Sequence, residues 1–460
     1  MCDGIAAEFE GIDLGDRRLN KRSVRIAEAL AAAPSASINA ATEGWTDTFA
    51  AYRFFSNPSV QADEILRPHR AATERRIREH AVVLMVQDTT EYDFSAHPPI
   101  DAQCLETPER FGFYDHTHLA ATPDQLCLGV VGTEQFDRAP ETLGKTRERK
   151  PLPIEEKESF RWLTGYRLAS ELRQSCPTTQ IISVADCEAD IYELFVEAQQ
   201  HPTPADFIIR AKENRCTPQR DPERGTHTYQ KVHDQLARAE VRVGRTVDLP
   251  QTPQRRARKA ELEIRALTIE LKPPAARSSL PRVSLQFVLV SEVNGPGDGT
   301  DVSWLLMTNL PIDTDEAILQ VIDYYIARWV VEIYFRTLKT GCRVEKIQLE
   351  TMSRLKNCLA FYKIIAWRIL YLTYLNRTTP ELPCTAVFDD CEWKSIWQVV
   401  KKTPLPETTP TLGEFLPLLT RLGGYNNRPS EPPPGPQVMW TAIRRMLDFA
   451  TAWLTFGPKT

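Results

Sequence analysis

Two short apolar runs, VVLMVQD ending at Asp88 and IISVAD ending at Asp186, each lead from a β-type stretch straight into a carboxylate. A continuous run of apolar and β-branched residues of this length is a strand buried on both faces, which needs helices packed against it. The chain supplies them. FRWLTGYRLASELRQ lies between the two runs, ADCEADIYELF opens a helix after the second, and QLCLGVVGTEQF is a further strand candidate. Strand and helix alternation over residues 81–200 predicts an α/β domain. Residues 1–80 are helical instead: GDRRLNKRSVRIAEALAAA with Asp16 as N-cap, TDTFAAYRFFSN closed by Asn57-Pro58, and ADEILRPHRAATERRIREH.

Between residues 205 and 310 strands return without helices, in DFIIRAK, AEVRVGRTVDL, KAELEIRALTIELKP, PRVSLQFVLVSEV and VSWLLMTNL. The alternation in ELEIRALTIEL predicts an antiparallel sheet with one wet face. Residues 377–460 read as helices, MWTAIRRMLDFATAWLTF among them, joined by the Pro-rich links TPLPETTPTLG and RPSEPPPGPQ. LAFYKIIAWRILYLTYL is interrupted by Lys363 and Arg368, which predicts a buried helix and no membrane span. The ten cysteines contain no C-x-x-C pair, which argues against a zinc ribbon or a disulfide framework. With MCDGIAAEFEG in place of a signal-like start, a reducing, cytoplasmic home is expected. Net charge is −5, yet residues 205–282 sum to about +7 and residues 325–368 to about +6. Such segregated positive charge suits a polyanion.

The second positive segment contains YYIARWVVEIYFRTLKTG, residues 324–341. Taken as one helix with residues roughly 100° apart, Tyr325, Arg328, Glu332 and Lys339 fall within an arc of about 60°. Trp329, Ile333, Ile326 and Val330 flank that stripe on one side, Val331 and Phe335 on the other. The expectation is a mostly buried helix with a thin line of charge that must meet something. Two carboxylates at neighbouring strand ends repel unless a cation lies between them, and hard oxygen donors suit Mg2+ or Mn2+. Glu332 would complete an all-carboxylate site for two ions, the arrangement phosphodiester chemistry uses. Arg328, Lys339 and the Tyr325 hydroxyl could then hold phosphates. Simpler readings compete. A strand-end aspartate often caps a turn, Glu188 and Asp190 suit a first helical turn, and an i, i+4 Arg–Glu pair is often a salt bridge. His116 and His118 read as a structural or solvated pair before a metal site. A carbohydrate hydrolase also sets paired acids at strand ends, but has no use for the basic stripe.

The spacing YxxRWxxExxxxxxK, here Tyr325, Arg328, Trp329, Glu332 and Lys339, resembles the YREK signature of DDE transposases in the IS-Four insertion-sequence family, the Tn-Five-like group. QDTTEYDF at Asp88 resembles that family's first-aspartate motif, and VADCEADIYELF its DREAD motif at Asp186. EEKESFRWL, WLLMTNLP and LGDRRLNKR…AAYRFFSNP also resemble family segments, in the right order over residues 10–370. The resemblance implies a mixed-sheet RNase H-like catalytic core at 81–376, with an inserted antiparallel β subdomain at about 205–310. It also implies a helical DNA-end-binding region at 1–80 and a helical, dimerising region at 377–460. The implied reaction is cut-and-paste transposition: nicking, hairpin formation and opening, then strand transfer, all at one magnesium or manganese site of Asp88, Asp186 and Glu332. The implied partners are double-stranded DNA, as terminal inverted repeats and target, and a second copy in a synaptic homodimer. The implied setting is the prokaryotic cytoplasm, on the nucleoid when DNA is bound. Tyr325, Arg328 and Lys339 match phosphate contacts near a flipped base, and Trp304 matches the tryptophan that props the distorted end. Arg210 and Lys212 match a basic strand end facing DNA, and Arg17, Arg18, Lys21 and Arg22 are candidates for end binding. Cys187 stands where relatives often carry a basic residue. The alternative is a catalytically inactive or host-adopted end-binding protein.

Overall fold

Most apolar runs singled out above become strands. In a computed structural model of the chain, described over residues 4–138, 152–221, 225, 228–249, 251, 255–428, 431 and 433–457, the first strands are β1 (Val82–Asp93), β2 (Gln103–Cys104), β3 (Phe111–Ala121), β4 (Cys127–Phe136), β5 (Gln180–Ala185) and β6 (Asp206–Arg210). They are followed by β7 (Cys216–Arg220), β8 (Tyr229–Lys231), β9 (Val243–Leu249), β10 (Arg258–Leu271), β11 (Val283–Glu292) and β12 (Ser303–Thr308). The contacts divide the chain into two units. The first comprises Met1–Glu79, Thr89–Leu143 and Trp329–Thr460, the second His80–Asp88 and Gly144–Arg328.

The second unit is built on a mixed sheet. The first half of β1 runs parallel to β5, from Val82↔Gln180 to Val86↔Val184. β5 in turn runs parallel to β6, from Ile182↔Asp206 to Ala185↔Ile209. β12 then lies antiparallel to β6, and β11, β10 and β9 continue antiparallel. Of the inserted strands, β9 to β12 therefore extend the core sheet through the β6–β12 pair, while β7 and β8 form a separate two-stranded sheet. β10 alternates as expected at its start: Leu262, Ile264 and Ala266 are buried, with Glu261, Glu263 and Arg265 turned outward. The wet face does not persist, because β11 is buried on both faces from Phe287 to Val290. The insertion is also not free of helices. The β7–β8 hairpin leads into a helix, Val232–Arg238, that was absent from the expectation.

The first unit is mostly helical. Helices at Arg17–Ala32, Gly44–Phe55 and Ala62–Ile77 surround Met352–Thr378, and Leu412–Leu422 and Pro436–Phe456 follow near the C-terminus. Asp16 caps the first as expected, its Oδ1 accepting from Arg18 N at 2.8 Å. Met352–Leu375 is apolar and long enough to cross a membrane, but 89% of its most apolar 18-residue stretch is buried inside the protein, as expected of a core helix. Phe361 at its centre meets the rings of Phe9, Phe54 and Phe55 at 5.4–6.0 Å. Asn357, also on this helix, donates Nδ2 to the carbonyls of Phe55 and Val60, satisfying two groups sealed from water. β3 and β4 pair antiparallel beneath Ala62–Ile77, and a Cβ at Gly129, φ +157°, would sit 1.9 Å from Thr73 Oγ1. Only glycine permits that approach.

The stretch 324–341 departs from its expectation. It is not one helix: Asp315–Ala327 ends, Arg328 and Trp329 form a turn, and Val330–Arg336 resumes before a π-helical turn at Thr337–Gly341. Arg328 and Trp329 keep right-handed helical φ values (−51° and −55°), and neither glycine nor proline marks the break. Trp329, expected on an apolar flank, is 57% exposed.

Candidate functional site

In the second unit, strand register assembles the site. The β1–β5 ladder ends at Val86↔Val184. Two residues further along stand Asp88, inside β1 and not at a strand end as expected, and Asp186, just past β5. The two acids thus fall at matching positions of strands about 4.8 Å apart. Continuing β5–β6 one residue past Ala185↔Ile209 sets Arg210 opposite Asp186, and Arg210 itself pairs with Leu306. Paired residues point to one face, and side chains alternate along a strand. Trp304, two residues before Leu306, therefore shares that face with Asp88, Asp186 and Arg210.

The helix Asp315–Ala327 brings its end to the same place. Thr314 caps its start, accepting from Ala317 N at 3.2 Å. At its end Tyr325 meets Trp304 edge to face, ring centroids 5.8 Å apart, and the Arg328 guanidinium lies 5.8 Å from the Tyr325 ring. Arg328 Nη1 donates to Asp88 Oδ2 at 2.9 Å. Burial pushes the Tyr325 hydroxyl pKa up, while the charges of Arg328 and Arg210 pull it down and Asp186 adds to the rise. One ladder thus runs from Asp88 through Arg328 and Tyr325 to Trp304.

The acids after β5 divide their labour. Asp186 Oδ1 accepts from Glu188 N at 2.8 Å, capping the single 3-10 turn Cys187–Ala189, so the capping role holds for one of its oxygens. Glu188 is paired with Arg161 at 2.7 Å. Asp190, expected as a first-turn helix charge, is instead sealed from water. It accepts from the backbone N–H groups of Lys212 and Glu213 at 2.8 and 2.9 Å and from Arg215 Nε at 2.8 Å. It pins the turn that carries Arg210 and Lys212, both exposed. Sequence reasoning missed Asp190, Arg161 and Arg215. The crowding of acids in DCEAD was the available signal.

The first unit holds the remaining candidates. Glu332 is half-buried on Val330–Arg336. Lys339 lies in the π-helical turn, 3.8 Å from Glu345 and 5.7 Å from the Tyr92 ring. Arg17, Arg18, Lys21 and Arg22 occupy the first turns of Arg17–Ala32, with Arg22 paired to Asp47 at 3.2 Å. His116 and His118 are buried, rings 4.8 Å apart; His116 Nδ1 lies 2.9 Å from Thr89 Oγ1, and burial pushes His118 down to about 3. They are a structural pair. Among the described residues, no group of three or more His, Cys, Asp or Glu side chains is gathered closely enough to hold a metal ion. In the second unit, the hard-oxygen chemistry of Asp88 and Asp186 and their shared register suit a divalent cation, with Arg328 supplying the positive charge beside Asp88.

A family model described as "Transposase DNA-binding" matches residues 1–60. One described as "Transposase DDE domain" matches residues 168–367, which include Asp186 and Glu332 and begin after Asp88. One described as "Transposase Tn5 dimerisation domain" matches residues 364–453. A solved structure described as a piggyBac transposase synaptic complex with hairpin DNA is 10% identical, over 93% of this chain and 87% of that one. Its TM-score is 0.31, and that likeness carries no argument.

Proposed function

We infer that this chain, which belongs to the Tn5-like DDE transposases with their RNase H-like core, moves an insertion sequence by cutting and pasting DNA. The observation that supports this most is the β1–β5 register, whose continuation past Val86↔Val184 puts Asp88 and Asp186 at matching positions. Asp88, Asp186 and Glu332 are the acids we assign to the reaction. The family generally uses divalent metal ions, and these donors suit Mg2+ or Mn2+, two per site. When bound, such a pair activates the attacking oxygen and balances charge on the leaving one.

The chain's own groups do the rest. Arg328 neutralises Asp88 in the structure, and on DNA its guanidinium can exchange that carboxylate for a phosphate oxygen. Lys339, Arg210 and Lys212 hold further phosphates. Trp304 and Tyr325 offer an aromatic corner for a base turned out of the stack, at about 1–3 kcal/mol per stacked base. Nicking frees a 3′-hydroxyl, which attacks the opposite strand to make a hairpin; hairpin opening and strand transfer follow. In this reading residues 1–80 grip the inverted repeats, 81–376 carry out the chemistry and 377–460 pair two copies, in a prokaryotic cytoplasm.

The test incubates the full chain with a duplex carrying the inverted repeats that flank its coding region, plus magnesium. Nicks should appear first and hairpins second. Glu332→Gln should abolish both, by about a thousandfold or more, with end binding retained. Cleavage that survives this change removes Glu332 from the site. End binding without cleavage by the unaltered chain in either ion leaves the end-binding alternative in its place.

A further inference from the structure

The helix Gly44–Phe55 has one face packed and one face bare. Ala51, Phe54 and Phe55 are buried, whereas Trp45 is 78% exposed and Phe49 50% exposed. The two rings lie one helical turn apart and stack on each other, centroids 6.1 Å apart and planes 20° from parallel. Arg53 follows one turn later, its guanidinium 5.9 Å from the Phe49 ring. Beside this stripe runs a groove of about 410 Å3 whose charged lining residues are Arg18, Arg22 and Arg53. Two large stacked aromatics in water are an unfavourable way to finish a helix surface. They are set aside for something that covers them.

The surrounding charge says what. Helix Arg17–Ala32 carries Arg17, Arg18, Lys21, Arg22 and Arg25 against a single acid, Glu28. The ion pair of Arg18 with Asp16 is exposed and that of Arg22 with Asp47 part-buried, and each arginine can give up its carboxylate for a phosphate oxygen. A short helix, Ile38–Ala41, and a turn precede Gly44–Phe55, so Trp45, Thr46 and Phe49 lie on the first turns of a second helix. That is the position from which helix-turn-helix proteins read base edges.

We propose that Trp45, Thr46 and Phe49 form the base-reading face of the N-terminal region. In this arrangement, which rests on the transposase reading, the aromatic pair packs against apolar base edges in a duplex groove while Arg18, Arg22 and Arg53 hold the flanking phosphates.

The test is selection by the full-length protein from a randomised duplex pool, with affinities measured across a salt series. The unaltered chain should enrich a motif. Trp45→Ala with Phe49→Ala should bind the pool with an unchanged salt slope, yet discriminate its motif at least tenfold less well, at an unchanged melting temperature. Arg18→Ala should keep the motif and make the salt slope shallower by about one. The proposal is overturned, and the transposase reading left standing, if the aromatic double variant enriches the same motif at the same affinity. It is equally overturned if that variant keeps the motif but dissociates a dimer in sedimentation, which assigns the face to a second copy. A chain that binds no duplex at all overturns both readings.

Discussion

In the second unit Asp88 meets Arg328 at 2.9 Å with both side chains still touched by water, 19% and 12% exposed. In the first unit Asp115 lies 2.7 Å from Lys363 with the pair sealed away, poorly aligned for a hydrogen bond. Burial pushes the Lys363 pKa down, against the pull of Asp115. The same two charges serve different ends in the two places. A carboxylate still reached by water can trade its arginine for a metal ion, and the arginine its carboxylate for a phosphate. A carboxylate inside a core has no partner to trade with, and removing its cation strands a charge. Glu8 repeats the buried pattern: burial raises its pKa, but His69 and Arg76 together bring it down to about 2.

The comparison breaks first at Lys363. Lys363→Met should cost about 3–5 kcal/mol of stability, read from denaturant midpoints, and adding Asp115→Leu should recover most of it. A single variant within about 1 kcal/mol of the parent would mean that the buried pair behaves like a solvated one.

Acid sharpens the contrast next. His118 titrates near 3 in the fold because burial disfavours its charge, and near 6.5 when unfolded. Between those values the unfolded chain binds a proton that the folded chain does not. Stability is therefore full above about pH 6.5 and falls with pH below it, by about 2 kcal/mol from pH 7 to 5. His69, lowered by burial, adds to the same window. Glu8 acts lower, its contribution present above about 4.5 and lost as pH falls toward 2. His118→Leu should flatten the pH 5–7 slope by its share; an unchanged slope would acquit this histidine.

The smallest effect belongs to the part-buried pair of Asp88 and Arg328. Arg328→Ala should leave the melting temperature within a degree or two and weaken DNA binding, with a salt slope shallower by about one. An unchanged slope would show that this guanidinium meets no phosphate.

Local regularities were legible without a structure. The alternation at the start of β10, the Asp16 cap and the buried helix around Phe361 each follow from residues a few positions apart. So did the placement of Asp186 just past the end of β5, whereas Asp88, expected at a strand end, lies inside β1, which runs on to Asp93. β3 was not legible. FGFYDHTHLAA shows neither clean alternation nor a pure apolar run, and its Asp115, His116 and His118 look solvent-seeking until Lys363, some 250 residues later, closes over them. Asp190 was misread for the same reason, because its partners come from the far side of β6.

The chain by itself therefore determined the segments with a clear period or a clear cap, such as the start of β10, the helix capped by Asp16 and the buried helix Met352–Thr378. Only the tertiary structure decided which acids are exposed and which are buried, that Tyr324–Gly341 breaks at Arg328 and Trp329, and that the insertion joins the core sheet through β12. Periodicity is set by neighbours in sequence. Burial and register are set by partners brought together from distant positions, and their cost in desolvation and chain entropy is settled only when the whole chain has folded.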